Sequence, residues 1–276
     1  MSQKYKTINY ETKDGKAIIS LNRVKQLNAI NDIMAQEVLA ALNRADDDSG
    51  VNVVIIKGEG GNFSSGVDLK DVFDLPTPIG EEPSETWRKH LDEMVDVSMK
   101  MWSLNKPVVA VVEGYALGGA ADWVLSADLV IATEDSKFGE PEVRFGSAPP
   151  TLMMPWVVGI KKTKELLFTG DIIDAKSALE YGIYNKVVSR DELQETVDKL
   201  TNKLVNIPAS VLKITKRSIN KTYEMQNIRE AIDYNLEAAL AIFFLATEKE
   251  VAKIREDIHT KGLGEFLRPI NEKFID

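Results

Sequence analysis

Three short apolar runs rich in β-branched residues, 51–57, 107–112 and 129–132, alternate with stretches of helical periodicity, and after about residue 160 such runs nearly disappear. Strands this short and this uniformly apolar are covered on both faces, which is the habit of parallel sheets inside α/β layers. Helical patterns alone follow, at 163–168, 175–181, 190–205, 209–222, 228–244 and 248–260. The order predicts an α/β core with a C-terminal helical region. Near the N-terminus, residues 8–11 and 17–21 read as a hairpin turned by Asp14-Gly15. Asn31 is placed to cap a helix running to Ala45. Residues 74–86, with Pro76, Pro78, Gly80 and Pro83 among acids, read as a surface loop before a long helix over 84–104. The greasy stretch 238–245 is read either as intramolecular core or as packing against another subunit.

Composition removes several chemistries. The 276 residues include no cysteine, so disulfides, thiolate metal sites and cysteine nucleophiles are excluded, and a reducing, cytoplasmic setting is the default expectation. The two histidines, His90 and His259, lie far apart without metal-ligand spacing. Forty-three acids against 34 bases give a net charge of −9, which argues against nucleic acid as a partner. The longest apolar run, 238–246, is too short to span a bilayer, and the polar first sixteen residues lack the apolar core of a secretory signal. No metal site is expected.

What remains are carboxylates and backbone dipoles. Two glycine clusters, Gly58 to Lys70 and Gly114 to Asp122, each follow a predicted strand. Such loops let a backbone approach a ligand, and a helix starting there presents unpaired N–H groups. Taken alone, each fits a plain turn equally well. Asp122 lies early in the helix opening near Gly119, among Ala120, Ala121, Trp123 and Val124, where an acid is expensive to bury unless paired. It reads either as a helix N-terminal acid or as a functional carboxyl with a raised pKa. Glu142 follows twenty residues later, in Phe138-Gly139-Glu140-Pro141-Glu142.

Seven segments, in order, carry a resemblance: Leu21-Asn22-Arg23 through Ile30; Ser65-Gly66-Val67-Asp68-Leu69-Lys70; Lys106 to Ala110; Gly114-Tyr115-Ala116-Leu117-Gly118-Gly119; Ala127-Asp128-Leu129; Phe138 to Val143; and Phe168-Thr169-Gly170 with 175–182. Over nearly its whole length the chain resembles the crotonase (enoyl-CoA hydratase/isomerase) superfamily. The resemblance implies a spiral of ββα units over residues 1–200 and a C-terminal helical region, 201–276, used in trimer contacts. It implies an acyl-CoA thioester as substrate, coenzyme A being part of that substrate rather than a separate cofactor, and a homotrimer or dimer of trimers.

By position, the resemblance makes the N–H groups of Val67 and Gly119 an oxyanion hole and Asp122 and Glu142 the acid–base pair. It places Arg23, Lys25, Ser65, Gly66, Asp68, Leu69, Gly118 and Pro149 about the CoA and acyl groups. Two departures stand out. The family's hydratases usually carry glutamate where this chain has Asp122, and the Asp-plus-Glu pair is similar to the dienoyl-CoA isomerases, whose further aspartate falls at Pro150. The hydratases' glycine-rich segment is replaced by Gly146 to Trp156, with Pro149, Pro150, Met153, Met154, Pro155 and Trp156. If it lines the acyl site, a cyclic or bulky dienoyl group is expected; otherwise these are core residues behind it. The leading expectation is reversible hydration of an α,β-unsaturated acyl-CoA. The alternatives are double-bond isomerisation and a non-catalytic binding protein on the same fold.

Overall fold

The computed structural model describes residues 5–73, 83–245 and 248–274. The chain begins with the antiparallel hairpin β1 (Ile8–Lys13) and β2 (Lys16–Leu21). Asp14 and Gly15 both have positive φ, 51° and 76°, as a two-residue turn matched to strand twist requires. Helix α1 (Asp32–Asp47) starts where expected, because the Asn31 side chain accepts from Met34 N at 3.0 Å. It buries Met34, Val38, Ala41, Leu42 and Ala45 on one face and leaves Ile33 exposed.

Strand β3 (Val53–Gly58), helices α2 (Leu69–Phe73) and α3 (Pro83–Ser103), and strand β4 (Val108–Val112) follow. Then come β5 (Tyr115–Leu117), α4 (Gly119–Ser126), β6 (Leu129–Thr133) and β7 (Lys137–Gly139). Most of the predicted 74–86 loop lies outside the described residues; its last four, 83–86, belong to α3 instead. The second half holds α5 (Met154–Val158), α6 (Ile160–Thr169), β8 (Ile172–Asp174), α7 (Ala175–Glu180), β9 (Lys186–Val188) and α8 (Arg190–Val205). It closes with α9 (Ala209–Glu224), α10 (Ile228–Leu245), α11 (Glu248–Lys261) and α12 (Leu263–Asn271). Contrary to the reading that strands fade after residue 160, β8 and β9 lie there. At three residues each, neither can display a period.

Six strands form one sheet in the order β1-β2-β3-β4-β6-β9, parallel except for the β1–β2 hairpin. A second sheet, β5-β7-β8, pairs β5 with β7 in parallel and β7 with β8 antiparallel. Two chain turns, β4-β5 before α4 and β6-β7 before α5, thus lay one strand in the large sheet and one in the small sheet before crossing through a helix, and the predicted α/β class holds. The middle strand β4 is buried at every residue. No helix among the described residues is long and apolar enough to cross a membrane.

The C-terminal helices are tied to the core by polar struts. Lys216 of α9, nearly buried, donates to Met101 O, Lys106 O and Asp128 Oδ2 at 2.8, 3.2 and 2.6 Å. Asp128 in turn accepts from Val108 N at 2.7 Å, so α9 grips the start of the middle strand. Within the greasy stretch, Ala239 and Leu240 of α10 pack on Leu91 of α3 in the same chain, as core; side chains beyond 241 lie outside the described set.

Candidate active site

The two glycine loops meet. Residues 64–68 are laced between neighbours on both sides. Ser64 N donates to Tyr115 O at 2.8 Å and Leu117 N to Ser64 O at 3.2 Å, while Ile30 N donates to Gly66 O and Asp68 N to Ile30 O, each at 2.8 Å. Gly66, at φ +94°, passes so close to β5 that a β-carbon would stand 2.6 Å from Leu117 O. The chain leaves β5 at Gly118, φ +56°, whose N–H donates to Gly139 O at the end of β7, 2.8 Å away. That bond sets the start of α4 against the end of β7.

Between the two loops lie two unused donors. Among the described residues, neither Val67 N–H nor Gly119 N–H has an acceptor, the latter because it opens a helix. The two residues are in contact, since a β-carbon on Gly119 would stand 3.0 Å from Val67 Cγ2 and 2.6 Å from Met94 Cε of α3. Paired, preorganised N–H groups of this kind bind an oxygen that gains negative charge.

Three carboxyls gather beside them. Asp122, one turn into α4, is 1% exposed; Thr151 N donates to its Oδ2 at 3.3 Å and its Oδ1 has no partner. Glu142 sits on the 3₁₀ turn Pro141–Phe145 that leaves β7, with Oε1 against Gly118. The residue is partly exposed, yet Oε2 is buried without a hydrogen bond. Burial pushes its carboxyl up to about 7. Burial, followed by the charge of Glu142, raises Asp122 well above the ordinary range, against the Thr151 N–H. Glu140, two residues before Glu142, is 2% exposed and both its oxygens lack partners; burial and then the charges of Asp122 and Glu142 raise it strongly too. The sequence reading passed over Glu140. One acid inside a matched segment carries no signal of burial, which arises only when β7 meets α4.

The remaining predicted residues divide in two. Arg23 is committed within the protein: it pairs with Asp68 Oδ2 at 2.9 Å and Asp71 Oδ2 at 3.7 Å and donates to Ala29 O at 2.6 Å. It straps the 68–71 segment to the 23–29 segment. Ser65 Oγ donates to Gln26 O across the same seam at 3.5 Å, and Leu69 opens α2. Lys25, on the neighbouring 3₁₀ turn Val24–Gln26, is exposed and has no acidic partner among the described residues. Pro149 is buried, and Asn235 Nδ2 of α10 donates to Pro149 O at 2.8 Å and Pro150 O at 3.1 Å, fixing the segment whose next residue holds Asp122. Asn235 also escaped the sequence reading, since only the return of α10 brings it there. Met153 and Met154 are core residues, and the Trp156 ring lies edge-on to Tyr223 of α9.

A family model for enoyl-CoA hydratase/isomerase matches residues 11–256. The chain belongs to this family. It is 33% identical over 243 residues to a short-chain-enoyl-CoA hydratase of Clostridium acetobutylicum, covering 86% of this chain and 90% of that one. A crotonyl-CoA hydratase of Syntrophomonas wolfei is 30% identical, with 89% and 93% covered. A crystal structure of an enoyl-CoA hydratase/isomerase from Xanthobacter autotrophicus Py2 superposes with a TM-score of 0.92 at 35% identity, covering 99% of this chain and all of that one. The fold is therefore the crotonase fold, and the expectation of an enzyme of the hydratase kind stands.

Proposed function

We propose that the protein adds water reversibly across the α,β double bond of an enoyl-CoA thioester. The observation that carries this reading is the contact between two loops that puts the free N–H groups of Val67 and Gly119 beside Asp122 and Glu142. The thioester oxygen accepts from both N–H groups. Water oxygen bonds to the β-carbon while Asp122, ionised, takes the water proton, and the π electrons move to the thioester oxygen as an enolate. Collapse of the enolate takes a proton from Glu142 to the α-carbon. Hydration thus leaves Asp122 protonated and Glu142 ionised, and dehydration runs the same steps backwards. A carboxyl near 7 suits both directions, because it gives and accepts a proton at neutral pH.

Coenzyme A enters only as part of the substrate. Lys25, exposed on the 3₁₀ turn Val24–Gln26, is the cation assigned to its phosphates, while Arg23 shapes the loop of Ser65, Gly66, Asp68 and Leu69. The acyl group extends along α3, whose Met94 touches the Gly119 position. One turn further on, Trp87 and Leu91 meet Ala148 and Leu236. That apolar wall supports a cyclic or bulky acyl group. Exposed Val211 and Ile214 on α9, Met225 just past its end and Phe168 on α6 support association into a homotrimer or a dimer of trimers.

The test is purified protein with crotonyl-CoA and with a cyclic dienoyl-CoA in heavy-oxygen water. Label in the product supports hydration, and the ratio of kcat/KM values ranks the acyl groups. A shifted double bond without label assigns isomerisation instead, the reading favoured by an aspartate at position 122. Turnover unchanged by both Asp122→Asn and Glu142→Gln would remove the two acids from the mechanism and leave a binding role for the site.

A further inference from the structure

Two carboxyls make and break bonds in the scheme above, yet a third, Glu140, is buried in the same cluster. Glu140 bridges the end of β7 and the 3₁₀ turn, 2% exposed, with both oxygens lacking a partner. The charged groups acting on it are Asp122 from α4 and Glu142 from its own turn, both acidic. A carboxylate anion here would be unsolvated, unpaired and repelled by whichever of the two neighbours is ionised. The neutral acid avoids that and carries an O–H. An orphaned acceptor lies in the same cluster: Asp122 Oδ1, the oxygen that Thr151 N does not serve.

We propose that Glu140 is a positioning residue that stays protonated through neutral pH and donates its O–H to Asp122 Oδ1. The inference rests on the reading of Asp122 as the group that takes the water proton. Asp122 must be ionised to do so, and burial together with Glu142 opposes ionisation. With Thr151 N–H on one oxygen and Glu140 O–H on the other, the anion is held from both sides in a fixed rotamer. A protonated acid supplies this donor without adding a second buried charge. The direction of its pKa agrees, since Glu140 feels the repulsion of both neighbours.

Two variants test it. Glu140→Gln keeps the shape and an N–H donor but cannot ionise; Glu140→Leu keeps the bulk and removes the donor. In the free protein at neutral pH, the infrared carbonyl stretch of protonated carboxyls should lose one component in Glu140→Gln relative to wild type. With crotonyl-CoA, Glu140→Leu should lower kcat roughly ten- to hundredfold, the value of a buried hydrogen bond to a charged group, with little change in KM. Its acidic limb of kcat/KM should move to higher pH, because Asp122 becomes harder to ionise. Glu140→Gln should recover most of that loss. Absence of the infrared difference, or equal impairment of the two variants, overturns the proposal. Wild type inert toward crotonyl-CoA would sink the hydratase reading, while the infrared difference, which needs no turnover, would still decide the protonation of Glu140.

Discussion

A β-carbon on Gly118 would overlap Oε1 of Glu142, so the residue that caps α4 is also the floor beneath the Glu142 carboxyl. Gly118 holds φ +56°, ψ −135°, a conformation that side chains rarely adopt. Gly119, its neighbour, differs: a β-carbon there meets chiefly the mobile terminal methyl of Met94. Gly118→Ala should therefore lower kcat roughly hundredfold or more, the scale of displacing a general acid, and reduce stability by about 1 kcal/mol or more. Gly119→Ala should fold well and lose less activity, part of it restored by Met94→Ala. Steady-state kinetics with crotonyl-CoA and urea denaturation of the three variants check the order.

The same burial that tunes Glu142 makes stability depend on pH. Its carboxyl ionises near 4.5 in the unfolded chain and at about 7 in the folded one, so over that window the folded state holds the extra proton. Stability is then highest below about pH 4.5 as far as this group is concerned, and falls as pH rises through 7. The full difference is at most about 3 kcal/mol. Glu142→Gln removes the titration. Relative to wild type, the variant should gain about 2 to 3 kcal/mol in denaturant midpoints between pH 5 and pH 8, while losing hydration activity. A constant difference across that range contradicts the buried-carboxyl account.

Local signals were readable wherever one residue type solved a local problem. Asp14-Gly15 had to make a tight hairpin, and Asn31 had to cap α1, and both do. The carboxyls Asp122 and Glu142 could be picked out because one sits among apolar neighbours just past a matched segment and the other lies inside one. Their meeting could not be derived from spacing. It depends on the small sheet, whose strands β5, β7 and β8 have three residues each, too few to show alternation. Glu140, Asn235 and Lys216 escaped for the same reason: each is ordinary in sequence and becomes telling only through partners 18 to 115 positions away, as with Lys216 and Met101. Arg23 shows the converse. A basic residue near a predicted CoA site reads as a phosphate ligand, and the sequence does not show that Asp68 and Ala29 O also hold its Nη1 while Asp71 lies 3.7 Å from its Nη2.

Arg23 and Lys25, the two cations assigned to CoA, should therefore respond differently. Lys25 is exposed and unpaired among the described residues, so Lys25→Ala should raise KM for the CoA thioester several-fold with kcat nearly unchanged, an effect that fades at high salt. Arg23→Ala removes a strap between two segments and leaves Asp68, 8% exposed, without its cation. It should cost about 2 to 4 kcal/mol in stability and persist at high salt. Measuring KM at low and high ionic strength, alongside denaturation, separates a phosphate contact from a structural ion pair.

Asn235 links the C-terminal helices to the candidate site. Its amide holds the carbonyls of Pro149 and Pro150 at 2.8 and 3.1 Å, and the next residue, Thr151, gives its N–H to Asp122. Asn235→Leu leaves two carbonyls without that donor and loosens the one N–H that favours Asp122 in its ionised form. Losing that N–H raises the Asp122 pKa further, so the acidic limb of kcat/KM should move to higher pH while the alkaline limb, set by Glu142, stays in place. The maximal rate should fall roughly three- to tenfold, matching about 1 kcal/mol for a weakened hydrogen bond. Asn235→Asp, which keeps the size but offers no N–H to the carbonyls, should behave as badly as Asn235→Leu. If both variants instead keep the wild-type pH profile and lose only thermal stability, α10 braces the fold without setting the proton affinity of Asp122.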